Sequence, residues 1–337
     1  MKEAGKMRIA KWDNVKLFLI ICVVVGHVLA RQLNTGVNIR RLYLILYQFH
    51  MPAFVFVSGL FAKKAVRGKQ VDRAFSFLLL YFFMNIVEFA VAFTVEGKRT
   101  LSLFWEIGVP WYALAMCAWY GMTMYLQRFR RGYLLILSVV LGCLAGYDEN
   151  IGKFLALSRI LAFYPFFLAG FFADRDRLLA LMRKKEVKAA AAVVLLLIVV
   201  VVVRYIDDLY WLRELMKGRY PYTKLKKLNG YGGLLRLGWY AVSGAMSFAV
   251  ITLIPERRFC FSGIGARTLA IFALHYPILT ILRRAFHWES FLKQLWPEHF
   301  HILLVLTALF LVAFLSLRPF DRLVRFIIMP GRAEKDE

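Results

Sequence analysis

Ten apolar runs, most of them ended by lysine or arginine, leave this chain few ways to fold. They lie at about residues 15–33, 42–62, 74–95, 109–125, 133–146, 154–172, 189–203, 234–253, 268–282 and 302–317. About 20 apolar residues span a bilayer as a helix, and hydrocarbon tolerates no unpaired backbone groups, so such runs become membrane helices. Composition points the same way: 61% of the 337 residues are hydrophobic and 20% charged, whereas a soluble domain is roughly 45–50% apolar and a quarter charged. The fifth, seventh and ninth runs are short for a full crossing, and the fifth also fits a re-entrant piece. The expectation is an all-α polytopic membrane protein with about ten transmembrane helices around a central cavity.

A net charge of +24 would suit nucleic acid if it formed one patch, but the basic residues punctuate the apolar runs, so no nucleic-acid partner is expected. An even number of spans puts both termini on one side. Lys and Arg gather there, in Lys63–Arg73, Arg128–Arg131, Arg175–Lys188, Arg257–Arg267 and after Leu317, which makes that side cytoplasmic. The other basic stretch, Arg204–Arg236, belongs to a long loop of the kind that crosses despite its charge. Three parts follow: a cytoplasmic N-terminal segment 1–14, one membrane domain 15–317 with an external loop at about 204–233, and a basic cytoplasmic tail 318–337. Lys2, Lys6, Arg8 and Lys11 before an apolar run look like a signal peptide, but further spans follow and Asp13 with Lys16 opens the helix, so the segment is expected to be retained. Cys22, Cys117, Cys143 and Cys260 form no metal or disulfide pattern and read as buried small hydrophobes.

Ionisable groups inside spans are costly and mark function. By their distance from the expected external helix ends, His27, His50 and His275 sit at one depth, roughly 9–12 Å below the outer edge at ~1.5 Å per residue. A layer of neutral imidazoles suits acid–base chemistry, although each also works as interhelical glue. No carboxylate joins the layer, so no metal is expected. Lys16 precedes His27 by eleven positions, which is about 16 Å along a helix and within about 20° of the same face. A ligand with an anionic head at Lys16 and a reactive end at His27 matches that geometry; ordinary snorkelling explains Lys16 as well. Asp13 caps the helix or orients Lys16. Glu88 and Arg159 are further buried charges, which either pair or meet a substrate. Pro52, Pro165 and Pro277 with Gly59 are expected to break their spans beside a cavity. The loop 204–231, rich in Tyr, Trp, Lys and Arg, reads equally as a wall of a sugar site and as a solvated loop near headgroups.

Trp12-Asp13-Asn14-Val15-Lys16 leading to Gly26-His27 resembles the start of the membrane-bound acyltransferase 3 family, whose hallmark is a basic residue, ten intervening residues and histidine. Phe49-His50-Met51-Pro52 with Phe56-Val57-Ser58-Gly59, then Pro110-Trp111-Tyr112-Ala113-Leu114, look similar to its fucose 4-O-acetylase-like branch. So do Arg159 through Tyr164-Pro165-Phe166-Phe167 to Gly170, and Gly265-Ala266-Arg267-Thr268-Leu269 through Leu274-His275-Tyr276-Pro277. The resemblance spans nearly the whole chain. It departs in having Lys16 where arginine is commoner, and in showing no hydrolase-like domain after the last span, which predicts a membrane domain that acts alone.

The resemblance implies a ten-helix enzyme of the bacterial plasma (inner) membrane, embedded in lipid, that passes an acyl group, usually acetyl, from cytoplasmic acyl-CoA to a hydroxyl of a sugar or lipid-linked glycan. His27 would be catalytic, as base or as covalent acyl acceptor, with His50, His275 and Arg159 around it. Lys16, with Asp13, Lys63 and Lys64, would hold the CoA, while Trp111, Tyr112 and Glu88 would meet the acceptor. A different class fits the buried histidines too: a proton-coupled or lipid-sugar transporter, against which the lack of an inverted repeat counts.

Overall fold

The structure, a computed structural model, describes residues 10–97, 100–105, 108–152 and 154–328. Lys2, Lys6 and Arg8, the tail from 329 onward and the side chains of Lys226 and Lys227 lie outside what is described. The described chain is helical throughout, with no strand. Its helices are α1 Ala10–Leu29, α2 Val37–Arg67, α3 Val71–Glu96, α4 Trp111–Leu126, α5 Arg131–Leu144, α6 Leu157–Phe172, α7 Arg175–Arg183, α8 Lys185–Arg204, α9 Ile206–Leu209, α10 Leu212–Met216, α11 Gly232–Leu253, α12 Thr268–Phe286, α13 Trp288–Leu295, α14 Phe300–Leu315 and α15 Arg318–Ile328. Short 3-10 segments cover Tyr222–Tyr231 and Ser262–Ala266.

Each expected apolar run falls on a helix. By length and composition six stretches suffice to cross a membrane: α1, α2, α3, α8, Leu228–Leu253 and α12. The count reaches eight if α6 with α7, bent by 89°, and α14 with α15, bent by 66°, are each one span. The seventh and ninth runs, which read as short, become α8 with 20 residues and α12 with 19, because each helix continues beyond its apolar stretch into charged residues. The fifth stays short, at 14 residues.

Helix α1 is the axle of the protein. Of its spanning window 78% is buried, against 17% for α3 and 11% for α8, so α1 packs inside while α3 and α8 form the rim. Rim side chains such as Ile86, Phe93, Leu196, Leu197 and Val200 are exposed. An apolar band of this kind is what lipid contacts and what water would not support. Helices α2 and α6 cross so closely that a Cβ on Gly59 would collide with the Phe167 carbonyl oxygen, and one on Gly170 with that of Phe56.

The charged start of α1 does structural work. Lys11 is 1% exposed, and its ammonium donates to the carbonyls of Thr252 at 3.2 Å and Ile254 at 2.9 Å, capping the end of α11. Asn14 donates to the carbonyls of Pro255 at 3.0 Å and Arg257 at 2.9 Å and accepts from the Ser262 hydroxyl at 2.5 Å. Replacing Lys11 with Met leaves a buried and a partly buried carbonyl without their donor, at a cost of about 1–3 kcal/mol. Thermal unfolding in detergent should show a lowered midpoint; an unshifted one removes this cap from the account.

Two sequence expectations need correction. Pro52, Pro165 and Pro277 do not break their helices: α2, α6 and α12 run through them, since a proline removes one N–H and neighbouring helices hold the rest in register. The cysteines are free, but only Cys22 is buried; Cys117 and Cys143 are half-buried and Cys260 is exposed, because it lies on the turn beyond α11.

Candidate active site

Helix α1 carries the two residues whose spacing stood out, and each faces its own cavity. Lys16 lines one of about 280 Å³, with Ser58, Phe61, Tyr112, Tyr120 and Phe272. His27 lines a second, of about 440 Å³, with Tyr43, Tyr47, His50, Trp111, Arg159, Tyr276 and, from the 204–231 loop, Met216, Lys217, Arg219 and Tyr220. A neck of about 20 Å³ lies between them. Its wall shares His27, Met51, Val109 and Trp111 with the His27 chamber, and Phe54, Tyr112 and Phe272 with the Lys16 chamber. The two chambers therefore lie in succession along α1, with the small void between their walls.

The three histidines gather as their common depth implied, in distinct roles. His50, on α2, has its Nδ1 2.7 Å from the Leu46 carbonyl. A carbonyl only accepts, so Nδ1 carries the proton and Nε2 is the basic nitrogen. His275, on α12, is held in the same way by the carbonyls of Ile271 and Phe272, both at 2.9 Å. It is 0% exposed and stands behind His27, ring centroids 5.2 Å apart. Its Nε2 is buried with no hydrogen-bond partner among the described residues. His27 itself is half-buried, lines the chamber, and leans on Tyr276 edge-on at 5.7 Å.

Arg159, at the start of α6, donates to the Gly108 carbonyl at 3.3 Å and lies 5.1 Å over the Trp111 ring, within the same wall. Tyr112 sits lower, its hydroxyl 2.6 Å from that of Ser58. Lys16 stands 3.5 Å from Asp13 and 4.8 Å over Phe61. Asp13 lies within α1, not at its first residue, so of its two expected roles the structure shows the pairing with Lys16. Lys63 donates to the Ala173 carbonyl at the end of α6, and Lys64 is exposed; neither lines the Lys16 chamber. Glu88, half-buried on α3, lines neither chamber. Among the described residues no three His, Cys, Asp or Glu side chains gather as a metal set.

Sequence reasoning missed several lining residues. Tyr43, Tyr47 and His50 recur at helical spacing on α2, a pattern that was there to be read. The rings of Tyr43 and Tyr47 stack at 3.9 Å, and Tyr47 meets His50 edge-on at 4.7 Å. Arg31, one turn beyond His27, donates to the Tyr276 hydroxyl at 3.2 Å. Burial pushes the Lys217 ammonium below the usual lysine range, with Glu214 acting against the shift.

Along α1, then, an apolar cavity at Lys16 and a more polar, aromatic one at His27 follow each other. A family model described as an acyltransferase domain matches residues 9–318. No curated protein and no solved structure matches the chain.

Proposed function

Since the chain belongs to the acyltransferase 3 family, whose model covers residues 9–318, and is therefore a membrane acyltransferase, we propose that it transfers an acetyl group from acetyl-CoA to a hydroxyl of a cell-envelope sugar or glycan precursor. The observation that carries this reading is that Lys16 and His27, on one helix, each line a cavity, with a small void between whose wall shares residues with both. The fucose 4-O-acetylase-like branch is the family member type its motifs suit, and the plasma membrane of a bacterium is its setting, with the Lys16 end toward the cytoplasm.

In this mechanism the nucleotide end of acetyl-CoA stays at the mouth near Lys16, where a cation attracts phosphate. The pantetheine arm lies in the apolar Lys16 chamber and points the thioester toward His27, the side chains around the small void parting to admit it. The acceptor enters the His27 chamber. His27 takes the proton from its hydroxyl, the oxygen attacks the thioester carbonyl, and a tetrahedral oxyanion forms. Collapse breaks the carbon–sulfur bond, and the thiolate leaves with the proton that His27 held. The guanidinium of Arg159, in the same wall, offsets the negative charge on the oxyanion. His275 acts as a positioning residue, holding the His27 ring from behind.

Membranes carrying the protein, given acetyl-CoA labelled in its acetyl group, test the reading: labelled esters should appear on envelope glycans by mass spectrometry. No label transferred to glycan or water would sink it. Replacing Lys16 with Ala should raise KM for acetyl-CoA about tenfold, the scale of one lost charge-assisted hydrogen bond, while kcat stays within about threefold. A fall in kcat alone would take Lys16 out of donor binding.

A further inference from the structure

Helices α5 and α11 run in opposite directions and meet near the end of one and the start of the other. There a Cβ on Gly142 would strike the Tyr240 hydroxyl, and one on Gly233 would lie 3.7 Å from the Cys143 carbonyl oxygen. Toward their other ends an apolar notch of about 310 Å³ separates them, and it shares none of its described wall residues with the Lys16 or His27 chambers. Helix α11 gives the notch Tyr240, Gly244, Ser247, Phe248 and Ile251, spaced as one helical face. From α5 come Leu135 and Val139, and α6 and α2 add Phe166 and Phe56. The protons of both hydroxyls in this wall are spent on the protein: Tyr240 donates to the Ala162 carbonyl at 2.8 Å and Ser247 to that of Phe49 at 3.3 Å. What the notch offers an occupant is almost entirely carbon.

Water does not fill an apolar space of this kind, and an empty one forfeits dispersion contacts along its lining. Beside it on the same helices Ile136, Val140 and Val242 are exposed, and nothing stands within 4 Å of a Cβ added to Gly244. From Tyr240 to Ile251 the helix rises about 16 Å, close to half of the ~30 Å hydrocarbon core and so to the depth of one leaflet. One turn before Leu135, at the start of α5, stand Arg131 and its neighbour Arg130, both exposed. We propose that the notch holds one tail of a phospholipid from the surrounding bilayer, whose phosphate rests against Arg130 and Arg131. A guanidinium meets phosphate with paired N–H donors, which fixes the headgroup. Moving a tail from bilayer to notch gains no hydrophobic energy, so close packing and the headgroup contact carry the affinity. A second copy of the chain fits less well. A two-fold contact sets a patch against itself, and here it would bring both pairs of arginines together. The site stands apart from the transfer chemistry and does not depend on it.

The test uses the full chain in detergent, stripped of lipid, with phosphatidylglycerol and diacylglycerol of the same tails as probes. Native mass spectrometry reads the bound lipid, and the unfolding midpoint is recorded alongside. The parent should retain one phosphatidylglycerol, preferred about tenfold over diacylglycerol and less so as salt rises, and its midpoint should climb with the lipid. Gly244→Phe and Val139→Phe fill the notch from opposite walls. Each should weaken phosphatidylglycerol about tenfold while melting with the parent when no lipid is present, since the tail loses its packing. Arg130→Gln combined with Arg131→Gln should bring phosphatidylglycerol down to the diacylglycerol level, and these two surface changes read the site even where a filled notch fails to fold. Unchanged phosphatidylglycerol binding in a folded, filled variant overturns the proposal. Equal affinity of the parent for the two probes, or full-strength binding by the arginine variant, does the same. A dimer of the parent that Gly244→Phe splits would give the notch to a second copy, which overturns it too.

Discussion

Acyl transfer falls by two to four orders of magnitude when His27 becomes Ala, the range that a positioned general base supplies. Among the described histidines His27 is the one that lines both the larger cavity and the small void beside it, the position that the proposed chemistry asks of a base. His50 is the nearest competitor through its Nε2, but it lines the larger cavity alone. The measurement is initial rate per mole of protein, with acetyl-CoA binding recorded alongside to separate chemistry from folding. His275→Ala should cost about tenfold, because it removes the support behind the ring and leaves the reacting group in place. The two variants also differ in kind: added imidazole should restore part of the His27→Ala rate and none of the His275→Ala rate. Transfer by His27→Ala at the parental rate would end the proposed chemistry.

The largest structural effect belongs to Gly170→Val. Helices α2 and α6 touch through backbone there, and the atom that even a Cβ would strike is the Phe56 carbonyl oxygen, which cannot rotate away. Overpacking ordinarily costs about 1–3 kcal/mol; a collision with main chain on both sides of the crossing exceeds that and forces the helices apart. Because α2 carries His50 and α6 carries Arg159, separation also opens the chamber. Folded yield after detergent extraction should drop to background, and the Gly59→Val variant should behave alike. Gly121→Ala is the control: nothing stands within 4 Å of its added Cβ, and a helical Gly→Ala exchange is stabilising by about 1 kcal/mol. A Gly170→Val protein that melts with the parent would show that the crossing is looser than described.

How much of this was readable in the residues depends on what fixed each feature. The Lys16–His27 relation was legible because helical pitch is set by covalent geometry, and both residues lie on one unbroken helix. That His27, His50 and His275 come together was legible from the helical rise counted along three separate spans. Their division of labour was not, since the azimuth of α12 against α1 comes from packing, and only packing puts His275 behind the ring of His27. The 204–231 loop stayed ambiguous because its fate is decided by contacts from far along the chain. The Ser158 hydroxyl donates to the Gly218 carbonyl at 2.8 Å, and Arg236 donates to that of Leu215 at 2.5 Å; these bonds fold α10 over the chamber. Lys63 misled for a simpler reason. A basic residue at a helix end reads as a phosphate ligand, and here it is spent on the Ala173 carbonyl.

The pinning of α1 has a consequence of its own. One end is tied to α11 by Lys11 and to the Ser262 turn by Asn14, while Arg31 moors the other to Tyr276. A rod clamped at both extremities behaves as a gauge block: it tolerates exchange of the side chains along it but not a change in their number. One residue inserted between Lys16 and His27 would swing the imidazole through about 100° and advance it only ~1.5 Å, aiming it at a neighbouring helix. Between those two positions, then, length is under tighter restraint than identity.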